Sequence, residues 1–141
     1  MNADCVIVDA NIAFKCLVTG RGELRERIGP GGHPQLFTPR FLFVELFKHK
    51  ERLIRASGLP EEDLLAGLHT LLNQLTFVHE ADISTEVWIG AFRLCKEIDA
   101  KDTPYVALTL HLNGLFWTED NELKTTLRER GFNDFFAPRN K

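Results

Sequence analysis

The chain has 141 residues, 44% of them hydrophobic and 26% charged, which predicts a single domain over residues 1–141 with a substantial core. The formal net charge of -3 argues against a generally basic nucleic-acid binder, and no apolar run approaches the roughly 20 residues that span a bilayer. The N-terminal segment lacks the pattern of a signal peptide, so a cytoplasmic protein is expected. Widely spaced cysteines in apolar segments predict core packing rather than a zinc site or disulfides: Cys5, Cys16 and Cys95.

The first half of the chain alternates short apolar strands with amphipathic helices. β-Branched apolar runs predict the strands, apolar residues at helical spacing predict the helices, and glycine and proline predict the long loop. The expected elements are a strand at residues 5–8, a helix at 11–18, a loop at 20–34, a strand at 36–38 and a helix at 40–56 that Pro39 opens.

The second half continues this alternation. Leucines at helical spacing predict a helix, and two further helices begin at acidic or hydroxyl residues that favour helix N-termini. The expected elements are a helix at residues 61–75, a strand at 77–78, a helix capped by Asp82 or Ser84, a helix at 102–112, a strand at 115–117, a helix at 122–130 and an edge strand at 135–136. This order predicts an α/β sandwich in which helices cover a parallel sheet of about four or five strands.

Two of the predicted strands end at an aspartate. Asp9 follows the first strand directly, and Asp120 lies just past the strand at residues 115–117. Ligand sites in open parallel sheets collect outside the carboxyl ends of the strands. If these two strands are neighbours in the sheet, the two carboxylates meet although more than a hundred residues separate them.

Two further carboxylates complete a candidate cluster. Asp102 precedes an apolar helix, and Glu45 lies inside the hydrophobic segment FLFVELF. Taken singly, the aspartates are explained as helix caps, and Glu45 is explained by a salt bridge to Lys48 or His49. Taken together, clustered carboxylates repel one another unless a cation lies between them, and hard oxygen ligands suit Mg²⁺ or Mn²⁺. Supporting polar residues are available at Asn11 and Thr118, and Asp99 is a possible fifth acid.

Four segments in chain order resemble the motifs of PIN-domain nucleases. They are DANI at residues 9–12, the glutamate in FLFVELF at 41–47, DTPYVAL at 102–108 and WTED at 117–120. The resemblance covers essentially the whole chain and is greatest to the toxins of virulence-associated toxin–antitoxin pairs. It implies a three-layer α/β/α sandwich with Asp9, Glu45, Asp102 and Asp120 as metal-binding catalytic acids.

The resemblance also implies an activity and partners. The activity is Mg²⁺- or Mn²⁺-dependent hydrolysis of phosphodiester bonds in RNA, and the partners are a cognate antitoxin and a second copy of the chain. RNA that approaches an acidic pocket needs cations beside it, although a basic helix face is equally explained by solvation. The candidate RNA-binding residues are Arg21, Arg25 and Arg27 in the first loop and Lys48, Lys50, Arg52 and Arg55 in the following helix.

Three alternatives stay open. The chain is either a toxin or a housekeeping RNA-processing nuclease, and the residues do not decide between them. A binding module that keeps the fold without catalysis is a second class, although all four acids are present. A phosphoryl-transfer domain with Asp9 as nucleophile is a third, but it calls for a second acid two residues later, where this chain has Asn11.

Overall fold

In the computed structural model, which describes residues 2–29 and 33–138, short apolar segments form a central parallel sheet. The strands found in these ranges are β1 (Cys5–Val8), β2 (Gln35–Pro39), β3 (Thr76–Val78) and β4 (Leu115–Trp117). The helices are α1 (Ala10–Gly20), α2 (Phe41–Lys48), α3 (Lys50–Ser57), α4 (Glu61–Asn73), α5 (Thr85–Cys95), α6 (Thr103–Leu112) and α7 (Asn121–Glu129).

The strand order β3-β2-β1-β4 makes β1 a central strand, and every pairing is parallel. All four residues of β1 are buried, as expected for a strand covered on both faces. α6 packs across β1, β2 and β4 with α5 against it, whereas α1, α3 and α4 form a separate packed group. The predicted α/β sandwich is therefore confirmed, with four strands in the described part of the chain.

Three details of the predicted elements are wrong. Pro39 does not open a helix but ends β2, where it lies opposite Val78 of β3. The helix predicted at residues 40–56 is two helices that meet at His49, without glycine or proline to mark the break. The second of them turns so that Leu53 is buried and α3 contacts both α1 and α4. The predicted edge strand at residues 135–136 does not form, and Phe135 makes only an isolated bridge to Phe116.

Other local predictions are confirmed. Ser84, rather than Asp82, caps α5 through a hydrogen bond from the amide of Val87 to its hydroxyl. The three cysteines are free and buried. The loop predicted at residues 20–34 is fastened to α4 by Gln74, whose side chain accepts from the amides of Leu24 and Arg25. Part of that loop, residues 30–32, lies outside the described residues.

Within the described ranges, none of the helices is both long and apolar enough to cross a lipid bilayer.

Close contact between β1 and the turn before β4 depends on the absence of a side chain at Gly114. A Cβ atom there would lie 2.6 Å from the carbonyl oxygen of Cys5 and 2.9 Å from Cδ1 of Ile7. Asn113 supplies the left-handed residue that ends α6, so Gly114 is needed for space rather than for its backbone angles. The approach of β4 to β1 matters because two of the candidate acids, Asp9 and Asp120, follow these strands.

We expect Gly114→Ala to lower the free energy of unfolding by about 1–3 kcal/mol, since the added methyl group forces the two strands apart. Gly90→Ala is the matched control, because a Cβ atom at this position in α5 meets nothing within 4 Å. That change replaces a helical glycine and should raise stability by up to about 1 kcal/mol. Urea denaturation measures both values, and equal effects of the two substitutions would contradict the steric argument.

Candidate functional site

The pairing of β1 with β4 brings Asp9 and Thr118 side by side. Val8 lies opposite Trp117, and the next residue of each strand leaves the sheet at the same edge. The Thr118 hydroxyl donates a hydrogen bond to Oδ2 of Asp9 at 2.6 Å and accepts one from the amide of Asp120 at 3.2 Å. One threonine thus links the ends of both strands, and its hydroxyl proton is directed to Asp9.

Asp9 is an almost fully buried carboxyl group, with 2% of its surface exposed. Burial raises its pKa from 3.8 to about 6, although the hydrogen bond from Thr118 and the nearby amides of Asn11 and Ala10 act in the opposite direction. The charge of Glu45 raises the pKa further. Asp9 occupies the N-cap position of α1 but makes no capping hydrogen bond of ordinary geometry, so capping does not account for its carboxylate.

The pKa of Asp102 is affected by the charges of all the other candidate acids. Burial is the largest cause of the rise of its pKa from 3.8 to about 7, and the remaining causes are the negative charges of Asp9, Asp99, Asp120 and Glu45, in that order. It is the N-cap residue of α6, yet its side chain makes no capping hydrogen bond. The fold therefore brings the predicted acids within electrostatic range of a single carboxyl group.

Glu45 is buried in α2 and is held by a residue that the sequence analysis did not single out. The hydroxyl of Tyr105 donates a hydrogen bond to Oε1 of Glu45 at 3.0 Å. No salt bridge joins Glu45 to Lys48 or His49 among the described residues, so the proposed pairing with these cations is wrong. The available signal was that the chain's one tyrosine lies on the helix that follows Asp102.

The remaining acidic and polar candidates are more exposed. Oδ1 of Asp120 accepts a hydrogen bond from the amide of Leu123 at 3.1 Å, so this residue does cap α7. Asp99 caps a short 3₁₀ turn at residues 100–102 by accepting from the amide of Lys101 at 3.0 Å. Asn11 is exposed in the first turn of α1. Capping and a contribution to the cluster are compatible for both aspartates, since each charge also reaches Asp102.

The candidate RNA-binding cations fall into two groups. Arg21 and Arg25 lie beyond the end of α1, whose 11 residues place that end about 16 Å from Asp9. The guanidinium group of Arg25 also donates to the carbonyl of Pro34. The second group lies near the break between α2 and α3. Burial lowers the pKa of His49, and the charges of Arg52 and Lys48 lower it further while Glu45 raises it.

Lys50, in the second group, forms a salt bridge with Glu61 of α4 at 3.4 Å. Exposed pairs of this kind contribute little to stability, so the ammonium group remains able to exchange partners.

A divalent cation fits the donor chemistry of this cluster. Carboxylate oxygens are hard ligands. Burial and mutual repulsion raise the pKa of Asp9 and Asp102, and a positive charge beside them would lower it again. Within the described ranges, however, no three histidine, cysteine or acidic side chains stand close enough together to form a metal site. The acids converge without being drawn into coordination distance of one point.

The raised pKa of Asp102 predicts how stability depends on pH. The folded state binds this proton more tightly than the unfolded chain, so the stabilisation is complete below about pH 4 and is lost as the pH rises through about 7. We expect the free energy of unfolding, measured without divalent ions, to fall across this interval, and Asp102→Asn to reduce the slope. Glu119→Gln is the control, and an equal slope in Asp102→Asn and the unmodified protein would contradict the argument.

Comparison with known proteins identifies the family of the chain. No curated protein shows significant similarity to the chain. The family model described as PIN domain matches residues 7–132, a range that includes the end of β1, all of β4 and every candidate acid. PIN domains are generally nucleases, and they typically use divalent metal ions. The chain therefore belongs to the PIN-domain family.

Proposed function

We propose that this protein is a divalent-metal-dependent endoribonuclease that hydrolyses phosphodiester bonds of RNA and serves as the toxin of a toxin–antitoxin pair. The observation that carries the proposal is the convergence of charge on Asp102, whose pKa responds to four other carboxylates. Such a cluster at the carboxyl edge of a sheet lowers the stability of the fold, which argues for a role in binding or catalysis.

Asp9, Glu45, Asp102 and Asp120 would hold the cation, with Mg²⁺ or Mn²⁺ as the ions that suit oxygen ligands. When bound, such an ion stabilises negative charge on the phosphate oxygens and makes water a better nucleophile. Asp99 would support the cluster by its charge, which raises the pKa of Asp102.

The surrounding residues prepare the acids for this role. Thr118 donates a hydrogen bond to Oδ2 of Asp9 and Tyr105 donates one to Oε1 of Glu45, which orients each carboxylate. Asp102, with a pKa of about 7, carries a proton for much of the time near neutral pH and would have to lose it to hold a cation. Cation affinity should therefore weaken as the pH falls below 7.

The RNA would reach the acids past Lys48 and Arg52, whose charges are felt by His49 one turn beyond Glu45. Lys50, Arg21 and Arg25 would extend the contact along the backbone. A partner protein is supported by exposed apolar side chains, because Phe47 and Leu65 line one apolar groove between α2 and α4. An antitoxin and a second copy of the chain are the proposed partners.

We predict that the purified protein cuts a mixed pool of single-stranded RNA with Mg²⁺ or Mn²⁺ and not with EDTA. Asp9→Asn, purified identically, should lose at least about 100-fold in rate, as expected when a group essential for positioning the cation is removed. Gel electrophoresis of end-labelled RNA measures the rate. Cleavage that survives in EDTA, or equal cleavage by Asp9→Asn, would contradict the proposed mechanism.

A second prediction compares adjacent acids. Mg²⁺ at roughly 100 times its dissociation constant should stabilise the protein by about 2.7 kcal/mol, seen as a higher melting temperature. Asp120→Asn should lose much of this increase, because the charge of Asp120 acts on Asp102. Glu119→Gln should keep it, because the carboxylate of Glu119 pairs with Lys15 at 3.0 Å. Equal increases in both variants would mean that the cation binds elsewhere.

The toxin role has its own test. Expression of the chain should arrest bacterial growth, and co-expression of the product of a small neighbouring reading frame should restore it. Normal growth together with metal-dependent cleavage would favour the housekeeping nuclease. Metal binding and cleavage both absent would favour the silent binding module.

A further inference from the structure

The last turn of α5 is held by an arginine from the far end of α7. Nη1 of Arg130 donates to the carbonyl oxygens of Arg93, Leu94 and Lys96 at 3.3, 2.9 and 2.6 Å. The final carbonyl groups of a helix have no partner within it, and a positive charge there also complements the helix dipole. Arg130 therefore acts as an external cap on α5.

The chain beyond this cap is in an uncommon conformation. Glu97 has a φ of 70°, and it directly follows Lys96, whose carbonyl accepts the shortest of the three bonds. The other non-glycine residues with positive φ in the described ranges are Arg21 and Asn113, each of which directly caps a helix. A left-handed residue other than glycine persists where its surroundings hold it in place. Here Arg130 supplies that hold.

A short hydrogen-bonded segment joins the turn at Glu97 to Asp102. The amide of Ile98 donates to the carbonyl of Cys95 at 3.1 Å, and the amide of Asp102 donates to the carbonyl of Asp99 at the same distance. The side chain of Asp99 accepts from Lys101 between them. A displacement of the turn at Glu97 is therefore transmitted along a hydrogen-bonded segment to the start of α6.

α7 connects this clamp to the other side of the acid cluster. Asp120 is the residue before its first turn, and Arg130 is the residue after its last. The helix buries Leu123 and Leu127, so it is firmly packed between these ends. One element thus carries an acid at its N-terminus and fixes, through its C-terminus, the segment that presents another.

We propose that Arg130 is a positioning residue of the acid cluster: by clamping the turn at residues 96–98 it sets where Asp102 stands relative to Asp120. The inference rests on the proposed function, since a cation that needs both carboxylates is what makes their relative position matter. Arg130 itself touches neither acid in the contacts it makes.

The test is Mn²⁺ binding to the full chain without RNA, measured by calorimetry at a temperature well below unfolding. Arg130→Met should weaken binding on the order of tenfold, as removal of an outer-shell partner does. Arg130→Lys keeps a cationic donor and should recover part of the loss. Arg128→Met is the matched control, because the Arg128 guanidinium lies over the ring of Phe135, 4.9 Å from its centre, on the same helix.

Hydrogen exchange supplies a readout that does not depend on the metal. The amides of Ile98 and Asp102 should exchange faster in Arg130→Met and stay unchanged in Arg128→Met. Should Arg130→Met fail to fold, Arg130→Gln, which keeps an amide donor, takes its place with the same expectation.

Unchanged Mn²⁺ binding and exchange in the Arg130 variant would overturn the inference, as would equal weakening by Arg128→Met. The wild type and Asp9→Asn separate this result from a failure of the proposed function. Both proposals fall if the wild type does not bind Mn²⁺, or if Asp9→Asn binds it equally well. If that binding is present but insensitive to Arg130, only the positioning role falls.

Discussion

The parallel register of β1 and β4 is the constraint on which the candidate site depends. Because Val8 lies opposite Trp117, Asp9 and Thr118 leave the sheet together, and a hydroxyl group stands 2.6 Å from a buried carboxylate. A shift of one residue would send these side chains to the opposite face of the sheet. The space left by Gly114 and the apolar packing of the two strands thus determine the geometry of polar groups beyond their ends.

The same register creates an electrostatic cost that the protein reduces in several ways. Burial and repulsion bring the pKa of Asp9 to about 6 and that of Asp102 to about 7, so part of the negative charge is absent near neutral pH. Hydrogen bonds from Thr118 and Tyr105 stabilise the charge that remains on Asp9 and Glu45. Asp99 and Asp120 are more exposed, yet the charge of each also raises the pKa of Asp102. The folded protein therefore tolerates a cluster of acids that is not fully ionised near neutral pH.

The sequence predicted features that depend on local pattern and missed those that depend on tertiary contact. Asp9 and Asp120 were identifiable because each follows a short apolar strand, and parallel strands end at one edge. The bond between Tyr105 and Glu45 joins residues 60 positions apart, and no local rule announces it. Likewise the helix break at His49 lacks glycine or proline, and Arg130 reads as an ordinary surface residue at the end of α7. Their effects come from what they meet in the folded chain.

On the proposed function, the protein must both neutralise its own acids and attract RNA. A protein with a net charge of -3 and a cluster of carboxylates would repel RNA unless a cation neutralised that cluster. The basic residues near the break between α2 and α3 would act beside the cluster, since the charges of Lys48, Arg52 and Glu45 all affect the pKa of His49. Lysines and arginines there could attract the RNA backbone. They would not neutralise the buried carboxylates to which Thr118 and Tyr105 donate hydrogen bonds. On the proposed function, neutralising the acids and attracting RNA are separate tasks that would fall to different elements of the fold.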